Sequence, residues 1–131
     1  ETGISSTLKT MFSETVDFNT KRLVVDSFTA LASAFEKKIE ARVILHTFEK
    51  LMRQAGCTTL LLVEVPTGAS TLGLGFEEFV ADGLILFETI EDDVGIKKRA
   101  IIRKMRGTDH SQNYNKIVIS DQGISLTPYV T

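Results

Sequence analysis

Lys21-Arg22-Leu23-Val24-Val25-Asp26-Ser27 is the stretch that decides the fold, because a short apolar run ends there in a carboxylate followed by a hydroxyl. Such a run, without polar alternation, predicts a strand buried on both faces of a parallel sheet. A second run of this kind covers residues 58–65, and apolar residues at helical spacing predict a helix over residues 35–54. Strand, helix and strand at this spacing predict a βαβ unit with parallel pairing and a right-handed crossover.

Asp26 is the first candidate site residue, since ligands of parallel sheets bind beyond the carboxyl ends of the strands. A hydrophobic strand that ends in Asp is the Walker B arrangement, with which nucleoside triphosphatases hold the water shell of Mg²⁺. An Asp in this place also serves to cap the following helix. The residues alone leave both interpretations open.

The remainder of the chain predicts a change of architecture. Its predicted elements are a Gly-, Ser- and Thr-rich loop (67–75), one or two helical turns (76–82), a third strand (84–90), a polar turn (91–95) and strands over 96–106, 117–119 and 124–126. We therefore predict an α/β fold in one domain. A partial core over residues 1–90 is followed by antiparallel β-hairpins over residues 91–131.

Composition describes an ordinary globular protein. Of the 131 residues, 43% are hydrophobic and 24% charged, and the formal net charge of −2 gives no general attraction to nucleic acid or anionic lipid. The single cysteine, Cys57, excludes an internal disulfide and is compatible with a reducing compartment. Since no apolar stretch approaches ~20 residues, we expect a soluble, cytoplasmic protein without a membrane partner.

The basic strand near the C-terminus carries the second group of candidates. Positions two apart share a face of a strand, so Lys104 and Arg106 are predicted to project together, with Ala100 and Ile102 behind them. Two adjacent cations suit phosphate oxygens. A solvated basic edge that discourages aggregation is the alternative.

The residues after this strand extend the same group. Gly107 allows a sharp bend that brings Thr108 and His110 alongside the two cations. A hydroxyl and an imidazole there suit a purine or ribose edge. The acidic residues just before the third strand, Glu77, Glu78 and Asp82, are instead predicted to cap or solvate a short helix.

Four segments together resemble the KaiC-like and RadA-like branch of RecA-type ATPases. They are Leu-Val-Val-Asp-Ser-Phe-Thr-Ala-Leu (23–31), Phe-Glu-Glu-Phe-Val-Ala-Asp-Gly (76–83), Lys-Met-Arg-Gly-Thr-Asp-His (104–110) and Ile-Ser-Asp-Gln-Gly-Ile (119–124). The similarity spans essentially the whole chain. It implies a RecA-like three-layer core with a mainly parallel sheet, and rings or filaments that hold ATP between neighbouring subunits.

The resemblance assigns roles to individual residues. Asp26 corresponds to the Walker B acid that orders Mg²⁺ through water, and Arg106 with Lys104 to the donors that reach the nucleotide phosphates of a neighbouring subunit. Glu64 occupies a place where the family carries polar residues that sense the γ-phosphate. The surrounding contacts to the same nucleotide correspond to Met105, Thr108, His110 and Asp121.

One part of the family pattern is missing from this sequence. No Gly-x-x-x-x-Gly-Lys-Ser/Thr is present, and the glycine-rich loop at 67–75, where the family carries a mobile loop that can face DNA, lacks the lysine and hydroxyl of a phosphate cradle. The strand with the catalytic glutamates is missing as well. We therefore expect the C-terminal portion of an ATPase domain, inactive alone. Its sheet gap would be filled by the N-terminal portion or by a neighbouring subunit.

A non-catalytic module of the same family is the rival interpretation. Such a protein would keep the assembly surface and bind partner ATPases or nucleic acid, and the missing phosphate loop favours it. The retained Asp26 and the intact segment 104–110 favour a working ATPase parent. Nothing in the residues specifies DNA.

Overall fold

The computed structural model of the chain describes residues 2–35, 37–66, 69, 71, 73, 75 and 77–129. The predicted glycine-rich loop and the start of the short helix lie partly outside the described residues, at positions 67, 68, 70, 72, 74 and 76. The chain forms two compact units, Glu1–Val80 and Ala81–Thr131. A parallel sheet lies in the first unit and an antiparallel sheet in the second, which confirms the predicted mixed α/β fold.

The first unit contains the predicted βαβ arrangement. Its elements are α1 (Thr2–Asp17), β1 (Arg22–Val25), α2 (Phe28–Ala32), α3 (Lys38–Gln54), β2 (Thr58–Leu61) and α4 (Glu77–Val80). Strands β1 and β2 pair in parallel, with Arg22 opposite Thr58 and Val25 opposite Leu61. The predicted parallel pairing is confirmed, although β2 ends four residues before the predicted limit.

The core of the first unit forms between α3 and one face of this sheet. Helix α3 buries Ala41, Leu45, Phe48 and Met52, which recur at three- and four-residue intervals on one side. Phe48 and Met52 pack with Val25 and Cys57, and residues of α1 close the same cluster: Leu8, Met11 and Phe12.

The other face of the parallel sheet is exposed, so the predicted burial on both faces is wrong for the described chain. The relative exposed area is 59% for Val24 and 60% for Leu60. Their neighbours Val25 and Leu61 point to the opposite face, where the helices pack. Exposure therefore alternates along both strands because the helices cover only one side.

The second unit is a four-stranded antiparallel sheet in the order β3-β4-β5-β6. Its strands are β3 (Gly83–Asp92), β4 (Gly95–Met105), β5 (Asn115–Ser120) and β6 (Gly123–Pro128). The sequence grouped the third strand with the parallel core, but β3 pairs with β4 along its whole length. The two units divide between Val80 and Ala81, so β3 belongs to the second unit.

Candidate functional site

Asp26 stands directly after β1, at the carboxyl edge of the parallel sheet, and is exposed. The next residue, Ser27, is the N-cap of α2, and its hydroxyl accepts a hydrogen bond of 3.2 Å from the backbone N–H of Ala30. The helix cap that the sequence left open for Asp26 thus belongs to Ser27. The peptide bond between the two residues is cis.

Glu64 follows β2 at the same edge of the sheet, since Val25 lies opposite Leu61. Its side chain is exposed, and its backbone N–H donates to the hydroxyl of Thr29 at 2.8 Å. The backbone N–H of Phe28 donates to the carbonyl of Leu62, also at 2.8 Å. These bonds fasten the segment after β2 to the segment that carries Asp26.

Lys104 and Arg106, at the end of β4 and just after it, are held by the two residues that precede β3. The ammonium of Lys104 donates to the carbonyl oxygen of Ala81 at 2.8 Å, and the guanidinium of Arg106 contacts the carboxylate of Asp82 at 2.8 Å. The backbone N–H of Arg106 also donates to the carbonyl of Asp82 at 2.7 Å. Both partners of the ion pair are half-exposed, at 52% for Arg106 and 54% for Asp82.

A β-bulge in β4 sets the direction of Lys104. Ile102 lies opposite Ile85 whereas Lys104 lies opposite Leu84, so Arg103 is an extra residue in the pairing. Adjacent residues of β3 face opposite sides, and therefore Lys104 and Ile102 do as well. The prediction that Ile102 and Ala100 stand behind the cations was wrong, because regular alternation takes no account of the bulge.

A turn links the two cations to Thr108. The backbone N–H of Thr108 donates to the carbonyl of Met105 at 3.2 Å, and Gly107 has a φ of 68° in this turn. The predicted bend at Gly107 is present, since positive φ is readily adopted only by glycine. Met105 lies against the start of β3, where a Cβ on Gly83 would come within 3.1 Å of its sulfur.

The remaining sequence candidates make local hydrogen bonds within the part of the chain that the structure describes. Nδ1 of His110 lies 3.1 Å from the carbonyl oxygen of Ser111. Asp121 is exposed in the β5–β6 turn, 3.4 Å from the side-chain amide of Gln122. Their roles at a nucleotide stay predictions.

Sequence reasoning missed Asp82 and Thr29 as supporting residues. Asp82 was predicted to serve the short helix, but it follows α4 and pairs with Arg106. The sequence carried only part of the signal for this pair. Counting outward from the turn between Asp92 and Gly95 places Asp82 opposite position 105, and the bulge advances that to Arg106. For Thr29 we find no comparable signal, since its bond to Glu64 joins α2 to the segment after β2, 35 positions away.

The donor set fits a Mg²⁺ ion held mainly by phosphate and water. Among the described residues, no cluster of three or more His, Cys, Asp or Glu side chains could hold a metal ion. Mg²⁺ commonly takes one or two protein carboxylates and completes its shell with substrate phosphates and water. The exposed carboxylate of Asp26 at a strand end is a side-chain group of the type that such sites use.

A family model described as "ATPase: KaiC" matches residues 1–130. The chain belongs to the KaiC family of ATPases. The resemblance to the KaiC-like branch of RecA-type ATPases is thereby confirmed. No helix within the described part of the chain is both long and apolar enough to traverse a membrane.

Several proteins similar to this KaiC-family chain are longer than it. A UPF0273 protein of Pyrococcus horikoshii is 36% identical over 112 residues, which are 86% of this chain and 44% of that protein. The circadian clock oscillator protein KaiC of Acaryochloris marina is 27% identical over 112 residues, covering 85% of this chain and 22% of that protein. The chain thus spans less than half the length of these curated relatives.

A solved structure of a longer KaiC-like protein is also similar to this chain. The crystal structure of a KaiC-like protein from Pyrococcus horikoshii matches with a TM-score of 0.83 at 31% sequence identity. The match covers 98% of this chain and 56% of that chain. Both described units therefore belong to the KaiC-like fold.

Proposed function

We propose that this chain is the C-terminal portion of a KaiC-like ATPase that binds ATP between subunits of a ring or filament. Asp26 serves the nucleotide of its own subunit, and Lys104 with Arg106 serves the nucleotide of a neighbour. The observation that carries the proposal is the fastening of two cations by the Ala81–Asp82 segment, with the guanidinium half-exposed. Fixed cations of this kind recognise phosphate oxygens.

Asp26 acts on the metal side of the proposed site. Its carboxylate would hold Mg²⁺ through water, and the metal would supply charge neutralisation at the transferred phosphoryl group. The hydrogen bond between Thr29 and the backbone of Glu64 supports a shared role for the two strand ends, because it ties Glu64 to α2, the helix that begins two residues after Asp26. Glu64 is the candidate sensor of the γ-phosphate in this arrangement.

The partner of the chain, in this proposal, includes the remaining part of a full-length KaiC-like protein. The exposed apolar side chains of β1 and β2 support it, since Val24 and Leu60 are more than half exposed on the face opposite the helices. Contiguous apolar surface of this kind marks an interaction site. The missing portion would also supply the phosphate loop that this sequence lacks.

The test is a chimera in which this chain replaces its matched part of the Pyrococcus horikoshii KaiC-like protein. We expect the chimera to hydrolyse ATP and to assemble with nucleotide. Arg106→Ala should lower kcat by about 10³-fold, the lower end of the contribution of an arginine supplied from a neighbouring subunit. Mixing Arg106→Ala subunits with Asp26→Asn subunits should restore part of the turnover, because each variant supplies what the other lacks.

Lys98→Ala is the matched control, since it removes a positive charge from an exposed position of β4 that lies outside both the bulge and the cationic turn. Its turnover should equal that of the parent chimera. If Arg106→Ala retains both turnover and nucleotide-dependent assembly, the role in the neighbouring site is wrong. Nucleotide-dependent assembly without turnover in the parent chimera would support the non-catalytic module instead.

A further inference from the structure

We propose that Asp82 is a positioning residue for Arg106, fixing the guanidinium in the direction from which it meets a neighbour's phosphate. This inference rests on the proposed function and assigns to it a residue outside the cationic turn. Its first support is that Asp82 holds Arg106 twice. The backbone carbonyl of Asp82 accepts from the Arg106 N–H at 2.7 Å, and the carboxylate accepts from Nη1 at 2.8 Å.

The second support is that Asp82 directly precedes a paired strand. Gly83, the next residue, lies opposite Met105 and begins β3, whose ten residues all pair with β4 across the one bulge at Arg103. The adjacent carbonyl of Ala81 accepts from Lys104 at 2.8 Å. One dipeptide therefore sets the place of both cations, and the bulge at Arg103 directs Lys104 toward it.

The chemistry of the guanidinium makes orientation and phosphate contact compatible. An arginine side chain is long and flexible, but its planar head carries donors on more than one edge. A carboxylate on one edge fixes the plane, while a phosphate meets another edge.

The negative charge of Asp82 allows separate predictions for kcat and for KM when its carboxylate is removed. A carboxylate near an anionic ligand opposes binding, so its loss should leave the KM for ATP unchanged or lower. Loss of orientation should act on the transition state, where a misplaced group is costly, and should lower kcat by about 10- to 100-fold. Simple removal of a favourable binding contact would raise KM instead.

The experiment uses the same chimera with Asp82→Ala, Asp82→Asn and Asp82→Glu. We expect the Ala and Asn variants to lose kcat without a rise in KM, and the Glu variant to regain part of it. The matched control is Asp92→Asn. Asp92 forms a comparable ion pair with Lys97 at the opposite end of β3, at 2.6 Å compared with 2.8 Å for Asp82 and Arg106. Its kcat should stay at the parent level.

A double-mutant cycle separates positioning from a structural role. If Asp82 acts through Arg106, adding Asp82→Ala to Arg106→Ala should change kcat no further. A further loss in that background, an unchanged kcat of Asp82→Ala, or a gain in kcat overturns the inference while the proposed function stands. An unchanged kcat of Arg106→Ala alone overturns the proposed function and this inference with it.

A measurement that does not depend on catalytic activity is needed in case a variant folds poorly in the chimera. In the 131-residue chain, heteronuclear NMR relaxation of the Arg106 Nε–H should report a rigid side chain in the parent and in Asp92→Asn. In Asp82→Asn the same group should become mobile. Equal mobility in all three proteins would overturn the positioning role.

Discussion

The side chain of Arg99 contacts groups in or next to several strands of the second unit. Its guanidinium carbon lies 3.8 Å from the ring centre of Tyr114 and 5.9 Å from that of Tyr129, and its Nε donates to Glu88 at 2.8 Å. The ion pair is mostly buried, with 25% of Arg99 and 29% of Glu88 exposed. This group ties β3, β4 and the ends of β5 and β6 together.

Arg99→Lys should therefore destabilise the chain by about 1 kcal/mol, because an ammonium loses the planar stacking on tyrosine. Urea unfolding followed by tyrosine fluorescence measures the change. Arg103→Lys is the control, since that side chain is exposed on the same strand, and it should be neutral. Equal midpoints for the two variants would show that the stacking contributes nothing.

Asp92 gives a pH-dependent contribution to the β3–β4 hairpin. The pKa of its carboxyl is lowered, chiefly by the hydrogen bond from Lys97 and further by the backbone N–H of Val94. The pKa of Lys97 is raised by the same partner. A lowered carboxyl pKa stabilises the fold above the unfolded pKa, and this stabilisation disappears as pH falls through the folded pKa.

We expect the Asp92 carboxyl to titrate at a lower pH in the folded chain than in urea, as measured by carboxyl ¹³C NMR. Lys97→Met should move the folded value toward the unfolded one. At the alkaline end, the raised pKa of Lys97 predicts loss of the pair as pH rises through that value. Identical titration in folded and unfolded chains would contradict the prediction.

Single residues were predicted well where one strand end or one turn decides their place. Asp26 lies at the predicted strand end, and the bend at Gly107 is present. Asp82 and Thr29 were not predicted, because each acts through a partner distant in sequence. The cap at Ser27 illustrates the same limit, since Asp26 and Ser27 are both good capping residues.

At the scale of elements, the sequence predicted the strands but did not predict the residue-by-residue register between β3 and β4. Hydrophobic periodicity indicated β3 and β4, yet it carried no sign that Arg103 is an extra residue in the pairing. A bulge depends on the partner strand and on the turn that joins the two. The face on which Lys104 lies was consequently beyond a prediction from alternation alone.

Two glycines in loops allow a matched test of backbone and packing effects. Gly107 has a φ of 68° with open space where a Cβ would lie, so Gly107→Ala should cost about 1 kcal/mol from backbone strain alone. Gly73 has a φ of 50°, and its Cβ would come within 2.6 Å of both Val63 and Glu77. Gly73→Ala should therefore cost more.

Urea unfolding of the two alanine variants measures the difference. Gly107→Asn is the control for the first glycine, because Asn tolerates positive φ better than Ala and should cost less. An equal loss of stability for Gly73→Ala and Gly107→Ala would show that Val63 and Glu77 move aside without cost.

At the scale of the whole molecule, the apolar sequence of β1 and β2 predicts more burial than the described chain provides. Both strands predicted two buried faces, whereas the described chain covers one of them. The chain matches 56% of the length of the KaiC-like structure. The proposed assembly would cover side chains such as Val24 and Leu60, and hydrophobic periodicity alone does not show which part of a protein covers them.

The final prediction follows from that uncovered face. The isolated chain should bind a hydrophobic dye and associate with rising concentration, as measured by light scattering. Val24→Thr with Leu60→Thr should reduce both effects and keep the strands, because threonine favours extended backbone. Ile39→Thr with Val43→Thr on α3 is the matched control, since those residues are 60% and 58% exposed and lie outside the sheet.

In the chimera the same sheet variant should have the opposite consequence. There the two side chains are expected to be buried, and their replacement should destabilise the protein by about 2 kcal/mol or more, as for other truncations in cores. The α3 variant should stay neutral in both proteins. A sheet variant that is neutral in the chimera would show that the face stays open there, and the proposed covering of β1 and β2 would be wrong.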